Sequence, residues 1–369
     1  MNPFILSSYH SPEYFCDREA ETERLFDAVR NNRNITLISR RRMGKTGLLK
    51  HLENKLKTQK DICFVYFDIM PTASVSEFVG LFANSLFNAD GNKIDSLFRA
   101  FSKLFSAFKP SFSVNSLTGE TKFNLELASP VENESSLAAI FKYITSSNKK
   151  FVIAIDEFQQ VASYQSVDFE GVLRSCIQHL NNCAFFFAGS SRDTLKNMFT
   201  NSKKPFYMSS ELMFLSNIDK QNYKEFIINN FAKGNIAINE ESIDYLLELT
   251  DVHTFYVQLL CNRLFSLGTK KIGKEDVKTV FLRILDENRY YFESYRNIIT
   301  DYQWKLLKAI ARDKKVPEIT SKSFILRHQL GTPSSVGTAT KSLEKKDIIY
   351  RENGYYMIHD LLFSAWLAR

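Results

Sequence analysis

The sequence has no long uncharged apolar run. None of its apolar stretches approaches the roughly 20 residues that a membrane-spanning helix needs, so we expect no contact with a membrane interior. Residues 1–14 also lack a basic start followed by a long apolar stretch, and we therefore expect no signal peptide. Both absences favour a cytoplasmic protein.

Cysteine is scarce and irregularly spaced. The chain has five cysteines, an odd number with no Cys-x-x-Cys pair, at Cys16, Cys63, Cys176, Cys183 and Cys261. Several of them lie inside apolar stretches. This pattern excludes a disulfide-stapled scaffold and a cysteine metal cluster, and it is typical of reduced, buried thiols in a cytoplasmic protein.

Internal repeats and low-complexity segments are also missing. The 369 residues are 44% hydrophobic and 24% charged, which is typical of a globular protein with two or three domains and a sizeable core. The 32 phenylalanines are best explained by core packing. A net charge of +7 permits contact with nucleic acid but does not require it.

One stretch has the pattern of a phosphate-binding site, namely Ser39-Arg40-Arg41-Arg42-Met43-Gly44-Lys45-Thr46. An apolar run at 35–38 precedes it. Leucines at 48, 49, 52 and 56 follow it with the spacing of one helical face. Strand, tight loop and helix in this order are typical of a phosphate-binding loop.

The residue types in this loop fit a nucleotide with Mg²⁺. Backbone N–H groups and the helix dipole favour an anion at the helix start, and Gly44 lets the backbone approach phosphate closely. Lys45 would reach the β- and γ-phosphate oxygens, and the Thr46 hydroxyl would hold Mg²⁺. The predicted nucleotide-binding residues of the loop are Arg41, Arg42, Met43, Gly44, Lys45, Thr46 and Gly47.

The loop departs from the consensus at one position. The consensus has a glycine five residues before Gly44, where this chain has Ser39. A positive φ at Ser39 would cost on the order of 1 kcal/mol. The alternative interpretation is a basic turn between a strand and a helix that binds nothing.

A second signal follows about 110 residues later. Residues 151–155 form an apolar run that predicts a buried strand, and Asp156 and Glu157 follow it directly. Ligands bind at the carboxyl ends of parallel strands. We therefore expect Asp156 to help Thr46 hold Mg²⁺ and Glu157 to orient and polarise the attacking water.

A further predicted strand covers residues 184–188. A polar residue after a strand beside the acidic one can sense the γ-phosphate, and Ser190 or Ser191 has this position. Arg192 follows them. It would stabilise transition-state charge, in this chain or in a neighbouring copy, or it is a solvated loop arginine.

The remaining pattern divides the chain. Predicted strands at 62–67 and 213–215 and a hairpin of 111–114 with 122–127 complete the first part, residues 1–217. Residues 218–299 have only helical spacing. Residues 300–369 combine three predicted helices with a hairpin around Glu352-Asn353-Gly354, which is the pattern of a winged helix-turn-helix.

These motifs together resemble the archaeal-type ATPase family in the STAND branch of AAA-plus NTPases, with a Bacteroidetes-type segment at 203–207. The residues that carry the resemblance are Phe15, Arg18 and Glu21, the loop at 38–46, Ile155-Asp156-Glu157-Phe158-Gln159, Gly189-Ser190-Ser191 and His253-Thr254-Phe255-Tyr256 with Gln258-Leu259-Leu260. It implies an α/β P-loop AAA-plus domain with a parallel sheet flanked by helices, an all-helical lid and a C-terminal winged helix.

The resemblance also implies roles. Phe15 and Arg18 would lie near the adenine, and His253 would be a lid residue near the ribose or β-phosphate, although Thr254 stands where the family usually has proline. His359-Asp360 resembles a pair with which some STAND proteins hold ADP, while a structural role at the end of the wing is the alternative.

The implied function is an ATP- and Mg²⁺-dependent ATPase that turns over slowly and acts as a nucleotide-gated switch, with a protein partner or self-association. The alternative is a DNA-binding ATPase that resembles origin-recognition or transposition ATPases and uses residues 334–346 on DNA. Phosphate contact is expected there rather than base reading, since lysines and hydroxyls dominate. The winged helix could instead contact protein, and the chain could be an interaction scaffold whose nucleotide site is dead.

Overall fold

A computed structural model describes residues 2–7, 9–90, 108–114, 121–127, 133–165 and 168–369. The chain divides into two compact units. One comprises residues 5–223, and the other comprises the N-terminal residues through Phe4 together with residues 224–369.

The first unit is built on a five-stranded parallel sheet with the strand order β2-β5-β6-β1-β7. The strands of this sheet are β1 Ile35–Ile38, β2 Ile62–Asp68, β5 Lys150–Asp156, β6 Cys183–Gly189 and β7 Glu211–Phe214. β1, which leads into the phosphate-binding loop, pairs with β6 and β7. β6 therefore lies between the loop strand and the acidic strand β5.

Helices cover both faces of the sheet. They are α1 Glu19–Arg30, α2 Lys45–Leu56, α3 Val75–Asp90, α4 Asn133–Ser146, α5 Phe169–Ile177 and α6 Arg192–Thr200. Each face has its own apolar core, because both sides of the central strands are buried and their sequences are continuous apolar runs. The phenylalanines concentrate in one of these cores, including Phe158, Phe187 and Phe206.

The strands predicted from the apolar runs are confirmed, and so is the α/β class with a parallel sheet flanked by helices. The predicted hairpin is present as β3 Phe108–Val114 paired antiparallel with β4 Thr121–Leu127. The apolar spacing at 97–108 predicts a further helix, and nearly all of these residues lie outside the part of the chain that the structure describes.

The second unit begins with a helical region. Its elements are α7 Lys220–Lys233, which starts before the division, α8 Glu240–Leu249, α9 Thr254–Phe265, α10 Lys274–Glu287 and α11 Arg289–Ser294. The spacing predicts helices alone, whereas the structure adds a pair of two-residue parallel strands, β8 Ala237–Ile238 and β9 Lys271–Ile272. A strand of two residues is too short to show an alternating pattern, so the sequence carries no signal for these strands.

The C-terminal region is a winged helix. It contains α12 Asp301–Asp313, α13 Lys322–His328, α14 Pro333–Lys345, β10 Ile349–Glu352, β11 Tyr355–Ile358 and α15 Leu361–Leu367. β10 and β11 pair antiparallel, with Glu352 opposite Tyr355. Asn353 and Gly354 between them have φ of 50° and 89°, as a tight two-residue hairpin turn requires.

The final helix α15 has no counterpart in the sequence-based prediction. Its Phe363 is fully buried and its ring lies 5.9 Å from that of Trp304 in α12. The boundaries predicted at 217 and 299 stay predictions. No helix among the described residues is long and apolar enough to cross a membrane.

Candidate functional site

The loop between β1 and α2 has the backbone of an anion-binding site. Gly44 at the start of α2 has φ of 93°, and no side chain caps this helix end. Arg42 also has a positive φ, 60°. Ser39 does not, so serine in place of the consensus glycine causes no backbone strain there. Its hydroxyl donates to the carbonyl of Arg40 at 2.8 Å.

Lys45 is almost completely buried, with 5% of its surface exposed. Burial lowers the pKa of its ammonium, while the nearby charges of Glu157 and Asp156 raise that pKa and Arg41 lowers it. Neighbouring Met43 packs its side chain into the core, so only its backbone is available to a phosphate. The lysine charge is therefore held inside the site, near two carboxylates and without full hydration.

Asp156 ends β5 and is 2% exposed. Its Oδ2 accepts hydrogen bonds from the Thr46 hydroxyl at 2.6 Å and from the Tyr66 hydroxyl at 3.0 Å, and its Oδ1 accepts from the backbone N–H of Glu157 at 3.0 Å. Thr46 and Asp156, predicted to lie together, are thus in direct contact. Burial and the proximity of Asp156 raise the pKa of Tyr66, which stays a donor.

Glu157 follows with φ of 55° and ψ of 39°, a left-handed conformation that is uncommon for a residue with a Cβ. Its Oε2 accepts three hydrogen bonds, from Gln159 Nε2 at 2.5 Å, from Ser190 Oγ at 2.9 Å and from Ser190 N at 3.3 Å. The two residues predicted to act beside the γ-phosphate, Glu157 and a serine after β6, therefore contact each other.

The structure distinguishes the two candidate serines. Ser190 faces Glu157, whereas the hydroxyl of Ser191 donates to Thr194 Oγ1 at 2.9 Å and is exposed. Arg192 is the first residue of α6 and is partly exposed. Its predicted catalytic role stays a prediction.

Phe15 lies beside the start of α2. Its ring stacks on His51 at 4.3 Å, and its Cε2 is 3.5 Å from the position that a Cβ on Gly47 would take. Tyr9 closes this aromatic group, with its hydroxyl 3.1 Å from His51 Nδ1. Burial lowers the pKa of His51, as does Lys55. Contact of Phe15 with an adenine stays a prediction.

Arg18 is 3% exposed, and its guanidinium links residues near the start and the end of the first unit. It donates to Glu21 Oε1 at 2.7 Å and to the carbonyl of Ser216 at 2.6 Å. These contacts give Arg18 a structural task in addition to its predicted place near the adenine. His253, predicted as a lid residue, is buried at the N-cap of α9 in the second unit, with its ring 4.8 Å from that of Tyr256.

Two residues of the site have no role in the sequence-based prediction. Tyr66 lies on β2, whose pairing with β5 brings its hydroxyl to Asp156. Gln159 belongs to the acidic motif at 155–159, but the sequence alone assigns no role to it. The only sequence signal for Tyr66 is its alternating position in a strand. It stands two residues before Asp68, on the strand next to the acidic one.

The side chains present fit a nucleotide phosphate with Mg²⁺. Thr46 and Asp156 supply the hydroxyl and carboxylate oxygens that Mg²⁺ prefers, and the start of α2 supplies backbone donors beside Lys45. Among the described residues, no group of three or more His, Cys, Asp or Glu side chains could hold a metal ion by itself.

Comparison with known families matches two regions of the chain. Residues 43–174 match the "KAP family P-loop domain", and residues 290–369 match the "Probable winged helix domain". The first range contains Thr46, Asp156 and Glu157. The second contains α12 to α15 and the hairpin. No curated protein matches the sequence.

Solved structures resemble the fold over nearly the whole chain. A Walker-type ATPase of Pyrococcus abyssi is 20% identical with a TM-score of 0.66, covering 99% of each chain. The ORC2 protein of Aeropyrum pernix, solved in ADPNP and ADP complexes, is 12% identical with a TM-score of 0.59, covering 99% of this chain and 95% of that one. This chain therefore has an α/β P-loop NTPase fold with a five-stranded parallel sheet, followed by a C-terminal winged helix domain.

Proposed function

We propose that the chain binds ATP with Mg²⁺ at the β1–α2 loop and hydrolyses it slowly, as a nucleotide-gated switch. The observation that carries the proposal is the contact of Thr46 with Asp156 at 2.6 Å, directly beside Glu157 and the buried Lys45. A basic turn that binds nothing would not require a lysine and a hydroxyl at the start of α2 to lie beside two carboxylates at the end of β5.

Each side chain has a task in this proposal. Lys45 binds the β- and γ-phosphate oxygens, while Thr46 and Asp156 hold Mg²⁺, which neutralises charge on the phosphates. Glu157 accepts a hydrogen bond from the attacking water and orients it. Ser190, which donates to Glu157, would also contact the terminal phosphate.

The switch part of the proposal rests on Glu157 and Ser190, the two residues expected to act beside the γ-phosphate, which contact each other. A γ-phosphate beside them would favour one arrangement of the turn after β5 over another, and its hydrolysis would remove that preference.

The nucleotide content of the purified protein tests this proposal. The protein is denatured and the supernatant is separated by ion-exchange chromatography, with Lys45→Ala as the matched control. Stoichiometric ADP in the wild type and none in the variant supports a locked switch. An empty protein that turns over added ATP supports an ATPase without the locked state. Equal affinity of both proteins for ATP contradicts the assignment of the loop.

A second candidate function is DNA binding by the winged helix. The observation that favours it is the exposed face of α14, where Ser334, Ser335, Thr338, Lys341 and Lys345 face solvent. The ORC1 protein of Aeropyrum pernix, solved in complex with DNA, shares the fold at 12% identity and a TM-score of 0.50 over 97% of this chain and 93% of that one. Hydroxyls and lysines suit phosphate contacts.

Salt dependence tests this second function. If Lys341 and Lys345 contact phosphates, the double variant Lys341→Glu/Lys345→Glu should weaken DNA binding and lower the slope of log affinity against log salt by about 0.9 per lost contact. Lys278→Glu, a change at an exposed lysine of α10, is the control. A wild type without measurable DNA affinity at low salt contradicts DNA binding.

A further inference from the structure

We propose that Gln159 positions the carboxylate of Glu157, and that Gly189, which has no side chain, leaves the space that the Gln159 amide needs. This inference rests on the proposed ATPase function and deepens it. It names the groups that fix the carboxylate whose task is to orient water.

The carboxylate of Glu157 is held through one oxygen. Gln159 and Ser190 both donate to Oε2, while Oε1 accepts no hydrogen bond from the part of the chain that the structure describes. Donors on one oxygen fix the carboxylate rotation. The other oxygen is left to accept from water.

The turn that carries Gln159 is itself fixed. Phe158 is fully buried and its ring lies 4.5 Å from that of Phe187. On the other side, Gln160 donates through Nε2 to the carbonyl of Thr72 at 2.9 Å. Gln159 therefore extends from a backbone anchored on both sides, which makes its amide a preorganised donor rather than a mobile surface group.

The amide orientation of Gln159 leaves one of its polar atoms without a hydrogen bond, and this indicates what the other atom is needed for. Its Oε1 is buried and has no hydrogen-bond partner among the described residues. Reversing the amide would place that oxygen against the Glu157 carboxylate, where two acceptors repel each other. The unpaired carbonyl is thus the consequence of presenting the amide N–H groups to Glu157.

Gly189 makes room for this arrangement. A Cβ at Gly189 would lie 2.1 Å from Gln159 Oε1 and 3.2 Å from both Gln159 Cδ and Leu195 Cδ2. Gly189 also ends β6 directly before Ser190, the other donor to Glu157. Gly189→Ala would therefore displace the Gln159 amide without removing any catalytic side chain.

The test measures ATP turnover and ATP affinity in four full-length proteins, the wild type, Gln159→Ala, Gly189→Ala and the double variant. We expect kcat to fall about 10- to 100-fold in each single variant, since displacing a positioned group by about 1 Å has effects of that size. The KM for ATP should not change. The double variant should be no slower than Gln159→Ala, because the clash at 189 is gone once the amide is gone.

Gln178→Ala is the matched control, because Gln178 is an exposed glutamine of the same unit, at the end of α5, and its amide contacts His179 and not Glu157. It should keep the wild-type kcat. An unchanged or raised kcat in Gln159→Ala overturns the inference, as does a raised KM with unchanged kcat. Additive losses in the double variant overturn the role of Gly189.

A thermal-unfolding cycle separates this inference from the proposed function. Melting temperatures of Glu157→Gln, Gln159→Ala and their double variant should be non-additive, since the two side chains share a hydrogen bond. A wild type that binds but never hydrolyses ATP contradicts the ATPase proposal, and the cycle then still tests the contact. Additive melting shifts overturn the contact, whatever the turnover.

Discussion

Replacing Thr46 with valine removes one hydroxyl from the centre of the site and keeps the shape of the side chain. The hydroxyl donates to Asp156 Oδ2 at 2.6 Å, and Asp156 is buried with 2% of its surface exposed. The variant therefore removes one hydrogen-bond donor from a buried carboxylate, and solvent water does not reach Asp156 to replace that donor.

The magnitude follows from what remains around Asp156. A hydrogen bond to a charged group contributes about 1.5–3 kcal/mol. Tyr66 and the backbone N–H of Glu157 continue to donate to the carboxylate, so the loss should be at the lower end. At about 1.5 kcal/mol, a unit of this size should melt about 3–6 °C lower.

The assay combines thermal unfolding of the nucleotide-free protein with calorimetric titration of ATP, with and without Mg²⁺. Thr46→Ser, which keeps the hydroxyl, is the matched control. Thr46→Val should melt at the lower temperature and lose the part of the ATP affinity that Mg²⁺ adds. Thr46→Ser should keep that part.

Two results would contradict these roles of Thr46. If Thr46→Val melts at the wild-type temperature, the contact with Asp156 does not contribute to stability. If Mg²⁺ increases the ATP affinity of Thr46→Val as much as that of the wild type, Thr46 is not a ligand of the ion.

Two further predictions concern the buried charge of Lys45. Lys45→Met should raise the melting temperature of the nucleotide-free protein, because burial lowers the pKa of Lys45 and so disfavours its charge, and it should abolish the rise that ATP gives. That gain over the wild type should shrink as the pH rises from the lowered pKa towards 10.5, while wild-type ATP affinity falls over the same window.

The phosphate-binding loop was predictable because its chemistry is local. A strand, Gly44, Lys45, Thr46 and a helix are adjacent in sequence, and their order specifies the site. The position of backbone strain was not predictable in the same way. The consensus glycine that this chain replaces is at Ser39, but the positive φ values occur at Arg42 and Gly44, since a loop can distribute its turn among several residues.

The partners of the two acidic side chains depend on strand order. The sequence predicts that Asp156 and Glu157 end a buried strand, yet β6 lies between that strand and β1, and β2 lies on its other side. This order brings Ser190 to Glu157 and Tyr66 to Asp156. Such contacts join residues that are distant in sequence, and no local pattern encodes them.

ATP binding and turnover by Glu157→Gln, measured beside the wild type, decide whether this chain is an ATPase that uses Glu157. The substitution keeps the size of the side chain and removes the negative charge next to Ser190 and Lys45. We predict that the variant binds ATP with Mg²⁺ as tightly as the wild type and forms no ADP over many wild-type turnovers. Wild-type turnover in Glu157→Gln would show that another group activates the water and that Glu157 does not have this role.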